Sequence, residues 1–497
     1  MGSLKKVSGG LSWSISYSVI NAIYGFISVP ILIDFYGKSH YGLIGIALSV
    51  NVYVQLMDMG LNSTNIRFFS SWMADGHEDK IKIGFQSNLA LYGIIGLINT
   101  IILLVVALFA GSIFNLTADE ESILSHLFLI LAVSAIVNWY SSSFDQIIRA
   151  TENVAWIQKR SIVTKVAQIV SLILAIWLNM SIELYFALTI VSLLIIVPLS
   201  VKKINKELPY ISFVPKWSRS IIKEILPYSL NVFSFSIFQF SFWNLRPILL
   251  GIDCSPETVA DFRIMNGIAG VIVAISGTIL GALLPSVTKA VTQEKIGIID
   301  KVSYDGTKYV SIFLTLLCFG LITIVPDLLT LYVGPEYLYL VPWMSLWAIC
   351  LLGYSNQAIS SVILSGTNLK PLAINSAIAA ILGLLAVWFF IPYFKVGAAV
   401  IGHLVYTIVQ QLFYYLIYWR RTLHIDTWKL LRESVLPPIM IGCVICVILR
   451  YISSFYDSGI LRLLCFGAIF TIAYCFVIFL ILNQRDRILI KSLISKD

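Results

Sequence analysis

Two arginines, Arg246 and Arg263, fall within long apolar runs of this 497-residue chain, with Trp243, Asn244 and Asn266 close by in sequence. Placing a charged side chain at the centre of a bilayer costs about 2.5–3.5 kcal/mol on insertion scales, so each arginine calls for a partner or a watery cavity. A planar guanidinium can grip two phosphate oxygens at once, which an ammonium cannot. The chemistry suggested is recognition of a diphosphate head group. Two plainer readings stay open: each arginine snorkels to a nearby membrane face, or Arg263 pairs with Asp261.

Further polar groups lie nearer the amino terminus. Asp58 follows Asn51 and Gln55 at helical spacing, and Asp145 with Arg149 makes an i,i+4 acid–base pair suited to fixing a helix end. Lys165, near Gln168, sits deep enough to face either a cavity or the cytoplasm. Asp34, near the end of the first apolar run, is expected to meet outside water, with a cation-coupling role as the alternative. The histidines in apolar runs, His126 and His403, have no second His or Cys at ligand spacing. Neither a phosphate-binding Walker sequence, a zinc-protease His-Glu pair nor a nucleophile elbow occurs. No metal and no cofactor is therefore expected, and the sequence reads neither as an ATP-driven pump nor as an enzyme.

The elements that must carry these residues follow from composition. Apolar residues make up 58% of the chain and charged residues 12%, with mean hydropathy +0.89. A water-solvated surface needs about a quarter charged residues, so soluble enzymes, nucleic-acid binders and disulfide-stapled secreted domains are excluded. The net charge of +8 then reflects basic loops facing an anionic leaflet. Seven scattered cysteines form no framework, and Cys443 with Cys446 lacks any companion ligand. Lys5 and Lys6 precede an uncharged run to Ile33 that is too long for a signal-peptide core and reads as a retained first membrane helix.

A membrane helix needs about 20 apolar residues, and fourteen segments qualify. They are 11–36, 41–66, 84–112, 123–148, 156–179, 182–201, 221–250, 258–288, 306–333, 342–366, 371–394, 396–419, 434–453 and 460–483. With these spans, 28 of the 34 Lys and Arg residues fall in loops or helix ends on one side and 4 on the other, Arg246 and Arg263 lying deeper within helices. The bias places both termini in the cytoplasm. The fold class is thus an all-α integral membrane protein of about fourteen helices. Its parts are an amino-terminal lobe over 1–201, a basic cytoplasmic linker over 202–220, a carboxy-terminal lobe over 221–420, and an appended helix pair with a tail over 421–497. Six helices before the linker make the two six-helix lobes parallel.

Pro30 in a long first helix, Tyr41-Gly42-Leu43 opening the second, Asp58-Met59-Gly60-Leu61 and Arg67 near its end, and Arg246-Pro247-Ile248-Leu249-Leu250-Gly251 in the seventh form a pattern. It resembles the Wzx-type polysaccharide flippases, a group placed with MATE-like multidrug exporters and lipid II flippases in one superfamily. The resemblance implies two lobes that move a polyprenyl-diphosphate-linked oligosaccharide from the cytoplasmic to the outer leaflet by alternating access, in surface polysaccharide (O-antigen or capsule) biosynthesis. It implies a bacterial inner membrane, a lipid-linked glycan as the substrate partner, and a polysaccharide polymerase and assembly proteins as companions, with no nucleic acid. A cation-coupled drug or metabolite antiporter of the same fold is the alternative, and it would favour an acidic cavity. A membrane glycan polymerase would need a large outer loop, and none is present. The charge bias carries a direct expectation. A reporter fused after Asp497 should be active only in the cytoplasm, and activity confined to the outside would overturn the topology.

Overall fold

The computed structural model describes residues 2–292, 300–356, 358–360, 370–422 and 424–482. Among them every regular element is helical, with no strand. Hydrocarbon offers the backbone no hydrogen-bond partner, so a segment of this apolarity satisfies its own peptide groups as a helix. Among the described residues, thirteen helices are long and apolar enough to cross a membrane. The two shortest expected runs, 182–201 and 434–453, fall within the spans Ile182–Glu207 and Thr427–Ser453. At the seventh position stands the 35-residue helix Arg219–Asp253, which carries Gln239, Asn244 and Arg246. The ends of the expected segments 342–366 and 460–483, together with Lys295, Arg485, Arg487, Lys491 and Lys496, lie outside the described residues.

The chain divides into two compact units, residues 1–263 with 391–396, and residues 264–390 with 397–497. The first unit contains α1 (Gly2–Tyr36), α2 (Lys38–Val54), α3 (Leu61–Ala74), α4 (Glu78–Leu108), α5 (Ala110–Ile113), α6 (Ala118–Ala150), α7 (Val154–Trp177), α8 (Ile182–Leu194), α9 (Ile196–Glu207), α10 (Arg219–Asp253) and the start of α11 (Pro256–Thr292). Helix α6 is well specified at both ends. Thr117 and Glu120 form a reciprocal capping box at its start, Asp119 to Glu121 sit at the positive end of the helix dipole, and Arg149 lies in the last turn. Its middle packs against α4, where Gly93 and Gly96 make room for Tyr140, Ile136 and Trp139. The basic linker is not a loose tether. Phe213 is wedged between Phe85 and Phe144, Gln86 donates to the Val214 carbonyl at 3.1 Å, and Ser87 donates to that of Lys216 at 3.2 Å.

The expected second helix, 41–66, is broken. After α2 a 3-10 turn spans Gln55–Asp58, and then Met59 (φ 48°) and Gly60 (φ 74°) are both left-handed before α3 begins. Consecutive left-handed residues cannot continue an α-helix, and glycine takes the second position without a Cβ penalty. The broken end is restored by side chains: Asp58 accepts from the Asn62 amide at 3.1 Å and from the Tyr92 hydroxyl at 2.5 Å. Behind Tyr92 runs a buried polar network. Gln146 donates to the Tyr92 oxygen at 2.7 Å, Asn88 donates to the Gln146 carbonyl oxygen at 2.8 Å and to Ser143 at 3.1 Å, and Asn65 donates to Asn88 at 2.8 Å. Three helices, α3, α4 and α6, are fixed to one another through it.

The second unit is organised around α12 (Thr307–Tyr332), with α13 (Val341–Leu351), α14 (Lys370–Phe394), α15 (Val396–Phe413), α16 (Leu436–Ser453) and α17 (Ile460–Ile481). Helices α16 and α17, the expected appended pair, pack against α12. A buried ion pair fastens their connection, the Nε of Arg462 donating to both oxygens of Asp327 at 2.8 and 2.9 Å, while Gly459 donates its amide to the same carboxylate. Glycine also sets the spacing of α14 and α15, because a Cβ on Gly402 would meet the Val387 side chain and the Gly383 carbonyl.

In the first unit Gly42 of α2 lies so close to the Pro256 carbonyl that opens α11 that a Cβ there would overlap it. A Gly42→Ala variant is expected to lose about 1–3 kcal/mol of stability through this overlap. Gly25→Ala, with open space around it, serves as the control. Thermal unfolding of the two purified variants compares them, and equal midpoints would show that the contact relaxes without cost.

Candidate functional site

The same contact positions Arg263. Gly42 and Gly45 lie one helical turn apart on α2, and with no side chains there the first turns of α11 come close enough for the Arg263 stem to lie over Gly45. Its guanidinium then rests over the Tyr41 ring, 5.1 Å from the centroid. The Tyr-Gly-Leu sequence at 41–43 thus acquires a physical reading: the glycine admits α11 and the preceding tyrosine receives the arginine. Asp261 does not take Arg263 as its partner. Its carboxylate meets Lys38 at 2.7 Å.

Arg246 is fully buried. Its guanidinium carbon lies 4.7 Å from the Trp243 ring centroid, 4.8 Å from Phe242 and 5.3 Å from Phe262. Spacing on α10 places Phe242 four residues before the arginine and Trp243 three before it, so both rings fall on its side of the helix. Asn244 turns back to donate to the Phe240 carbonyl at 2.8 Å, and Asn266, farther along α11, is exposed.

Lys165 of α7 donates to Gln168 at 2.7 Å and lies over the Tyr24 ring, 4.7 Å from its centroid. The Tyr24 hydroxyl is 3.5 Å from that of Tyr185, and Tyr185 stacks on Tyr36 with centroids 5.9 Å apart. Toward the amino-terminal end of α1 and α7, Lys159 lies over Trp13 at 4.7 Å, and on α3 Arg67 lies over Tyr228 at 4.3 Å. Among the described residues, none of Arg67, Lys159, Lys165 and Arg263 has a carboxylate within 4.0 Å. An aromatic face attracts a cation by its quadrupole yet carries no net charge. These side chains are therefore held in place with their positive charge uncompensated, which suits them to an anionic ligand.

Carboxylates in this unit are bound differently. Asp145 does not look to Arg149 on its own helix but is gripped by Arg160 of α7 through two parallel bonds of 2.7 and 2.9 Å, and Arg160 also donates to Ser200 of α9. Arg160 is buried, so this pair ties three helices together. Asp58 caps the helix break described above, and Asp34 is exposed near the end of α1.

Arg263, Lys165 and Arg246, singled out from sequence, all lie in the first unit, while Asn266 belongs to the second. Three tyrosines, Tyr24, Tyr36 and Tyr185, escape sequence reasoning because tyrosine is common in membrane helices. A signal exists: Trp13, Tyr17 and Tyr24 recur at helical spacing on one face of α1.

The fold described here is similar to those of solved transporters. A lipid II flippase, MurJ, in an inward closed conformation superposes with TM-score 0.70 at 13% identity, covering 96% of this chain and 100% of that one. An inward-facing multidrug resistance MATE family transporter gives TM-score 0.61 at 16% identity, with 84% and 96% covered. The MATE multidrug transporter DinF-BH gives 0.56 at 18% identity, with 84% and 97% covered. No curated protein sequence gives a match. The model of the family described as polysaccharide biosynthesis protein matches residues 7–291, more than half the chain and nearly all of the unit that holds the cation–aromatic pairs. The chain belongs to that family.

Proposed function

We propose that this protein flips a polyprenyl-diphosphate-linked oligosaccharide repeat unit from the cytoplasmic to the outer leaflet of a bacterial inner membrane. The observation that carries the reading is the set of cations seated on ring faces in the first unit, with Arg263 over Tyr41 and Lys165 over Tyr24. A diphosphate is the membrane-borne group such a surface fits, since guanidinium and ammonium supply donors and the rings neutralise nothing. Membership in a polysaccharide biosynthesis family supplies the glycan. In this reading Arg246, Arg263, Lys165, Trp243, Asn244 and Asn266 serve the substrate cavity. Asp34, Asp58, Asp145 and Arg149 are structural rather than coupling residues, an assignment that the engagement of Asp58 with Tyr92 and of Asp145 with Arg160 favours. Both termini are cytoplasmic, and the lobes at 1–201 and 221–420 alternate access about the linker.

The two arginines give a discriminating experiment. Arg263→Lys keeps the charge but loses the planar fork, so it should already impair export, and Arg263→Ala should impair it further. The same pair of substitutions at Arg246 is expected to act in the same order. Normal glycan export in cells carrying any of the four variants in place of the wild type would remove that arginine from the proposal.

The energy source is open to test as well. A dianionic diphosphate moving outward across an inside-negative potential of about 100 mV gains roughly 4–5 kcal/mol, at about 2.3 kcal/mol per charge. Potential alone should then drive flipping in reconstituted vesicles under a potassium-diffusion potential with no sodium or proton gradient. Transport that appears only when an ion gradient is added would return Asp34, Asp58 and Asp145 to candidacy as coupling groups.

A further inference from the structure

Between Lys165 and Arg263 lies a strip of neutral polar surface that the diphosphate reading does not use. Tyr24 and Tyr36 are twelve residues apart on α1, about 18 Å along the axis, and Tyr185 from α8 bridges them. Its hydroxyl meets that of Tyr24 at 3.5 Å, and its ring stacks on Tyr36. Beyond Tyr36 the chain turns at Gly37 into α2, whose Tyr41 carries Arg263. The Tyr36 hydroxyl is buried with no hydrogen-bond partner, and so is the Nε of Arg263. A buried polar group left unpaired costs about 1–3 kcal/mol, and 3.5 Å is the long limit of a hydroxyl bond. These groups thus have hydrogen-bonding capacity to offer a ligand. Glu183, the carboxylate near Tyr36, faces His126 at 3.9 Å.

Resting on the flippase reading, we infer that Tyr24, Tyr185 and Tyr36 form the sugar-recognition strip of the site, binding the first saccharide units while the cation at one end, Lys165 or Arg263, holds the diphosphate. The match is chemical. A pyranose presents an apolar C–H face and a rim of hydroxyls that both donate and accept, and a tyrosine presents an aromatic face and one such hydroxyl. A polyprenyl chain would gain nothing from the hydroxyls. The seated cations also give the strip a way to open. Phosphate that draws Lys165 off Tyr24, or Arg263 off Tyr41, uncovers a ring face where the sugar must lie.

Binding of two probes to the purified full-length protein separates this inference from the one beneath it. The probes are farnesyl diphosphate and farnesyl diphosphate bearing an N-acetylhexosamine disaccharide. Wild type should prefer the glycosylated probe. Tyr36→Phe and Tyr185→Phe retain the ring and remove only the hydroxyl, and each should cut that preference about threefold to tenfold without changing affinity for the bare diphosphate. Arg263→Ala should weaken both probes alike. Phe variants that keep the full preference, or that weaken both probes equally, overturn the sugar assignment. A wild type that binds both probes equally well also overturns it and leaves the flippase reading standing, whereas a wild type that binds neither removes both.

Discussion

A cation inside an apolar helical unit must be held without being cancelled if it is to serve an anionic ligand. A carboxylate partner would stabilise the charge and remove its usefulness together. Ring faces avoid this conflict. Each cation–aromatic contact contributes about 0.5–2 kcal/mol, enough to fix a rotamer and too little to compete with a diphosphate. Arg263 over Tyr41 and Lys165 over Tyr24 share this solution. The glycine contact at Gly42 and Gly45 exists in the same service, since a bulkier α2 would carry Arg263 away from its ring.

Carboxylates play the opposite part. Asp145 with Arg160, Asp261 with Lys38 and, in the second unit, Asp327 with Arg462 are short pairs, each joining two different helices. Each has one buried member, Arg160, Asp261 or Asp327, so that removal of its partner leaves an uncompensated charge and is far more damaging than the pair is stabilising. Such pairs determine which helices are neighbours. This division of labour, acids consumed by structure and bases seated on rings, is why the proposed ligand is anionic and why a cation-coupled antiporter is the less favoured reading.

Asp58 is the exception, being held by a phenol and an amide instead of a base. It closes a break at Met59 and Gly60, where the Met59 carbonyl also accepts from Ser229 of α10 at 2.5 Å. The network behind it, from Tyr92 through Gln146 to Asn88 and Asn65, is almost wholly shielded from solvent. Every bond in it constrains the others. A helix broken in this way would ordinarily be free to bend. Here the polar network fixes the angle between the two segments.

Helical class and membrane character are legible in the sequence because they rest on a local property: apolar run length sets a span. The costly residues are legible too, since Arg246, Arg263 and Lys165 stand out against hydrocarbon without any knowledge of neighbours. Partners are not. Helical spacing matches Asp145 to Arg149, whereas the shorter bond reaches Arg160 on another helix, and proximity in sequence matches Arg263 to Asp261 although Lys38 takes that carboxylate. The break at Met59 is hidden as well, because a methionine with positive φ is strained locally and persists only where Tyr92 and Asn62 hold Asp58 in place. Sequence alone determined which groups would be expensive to bury. Tertiary structure decided what each was buried against, because a ring face or a carboxylate reaches its cation through space, from residues the chain order keeps far apart.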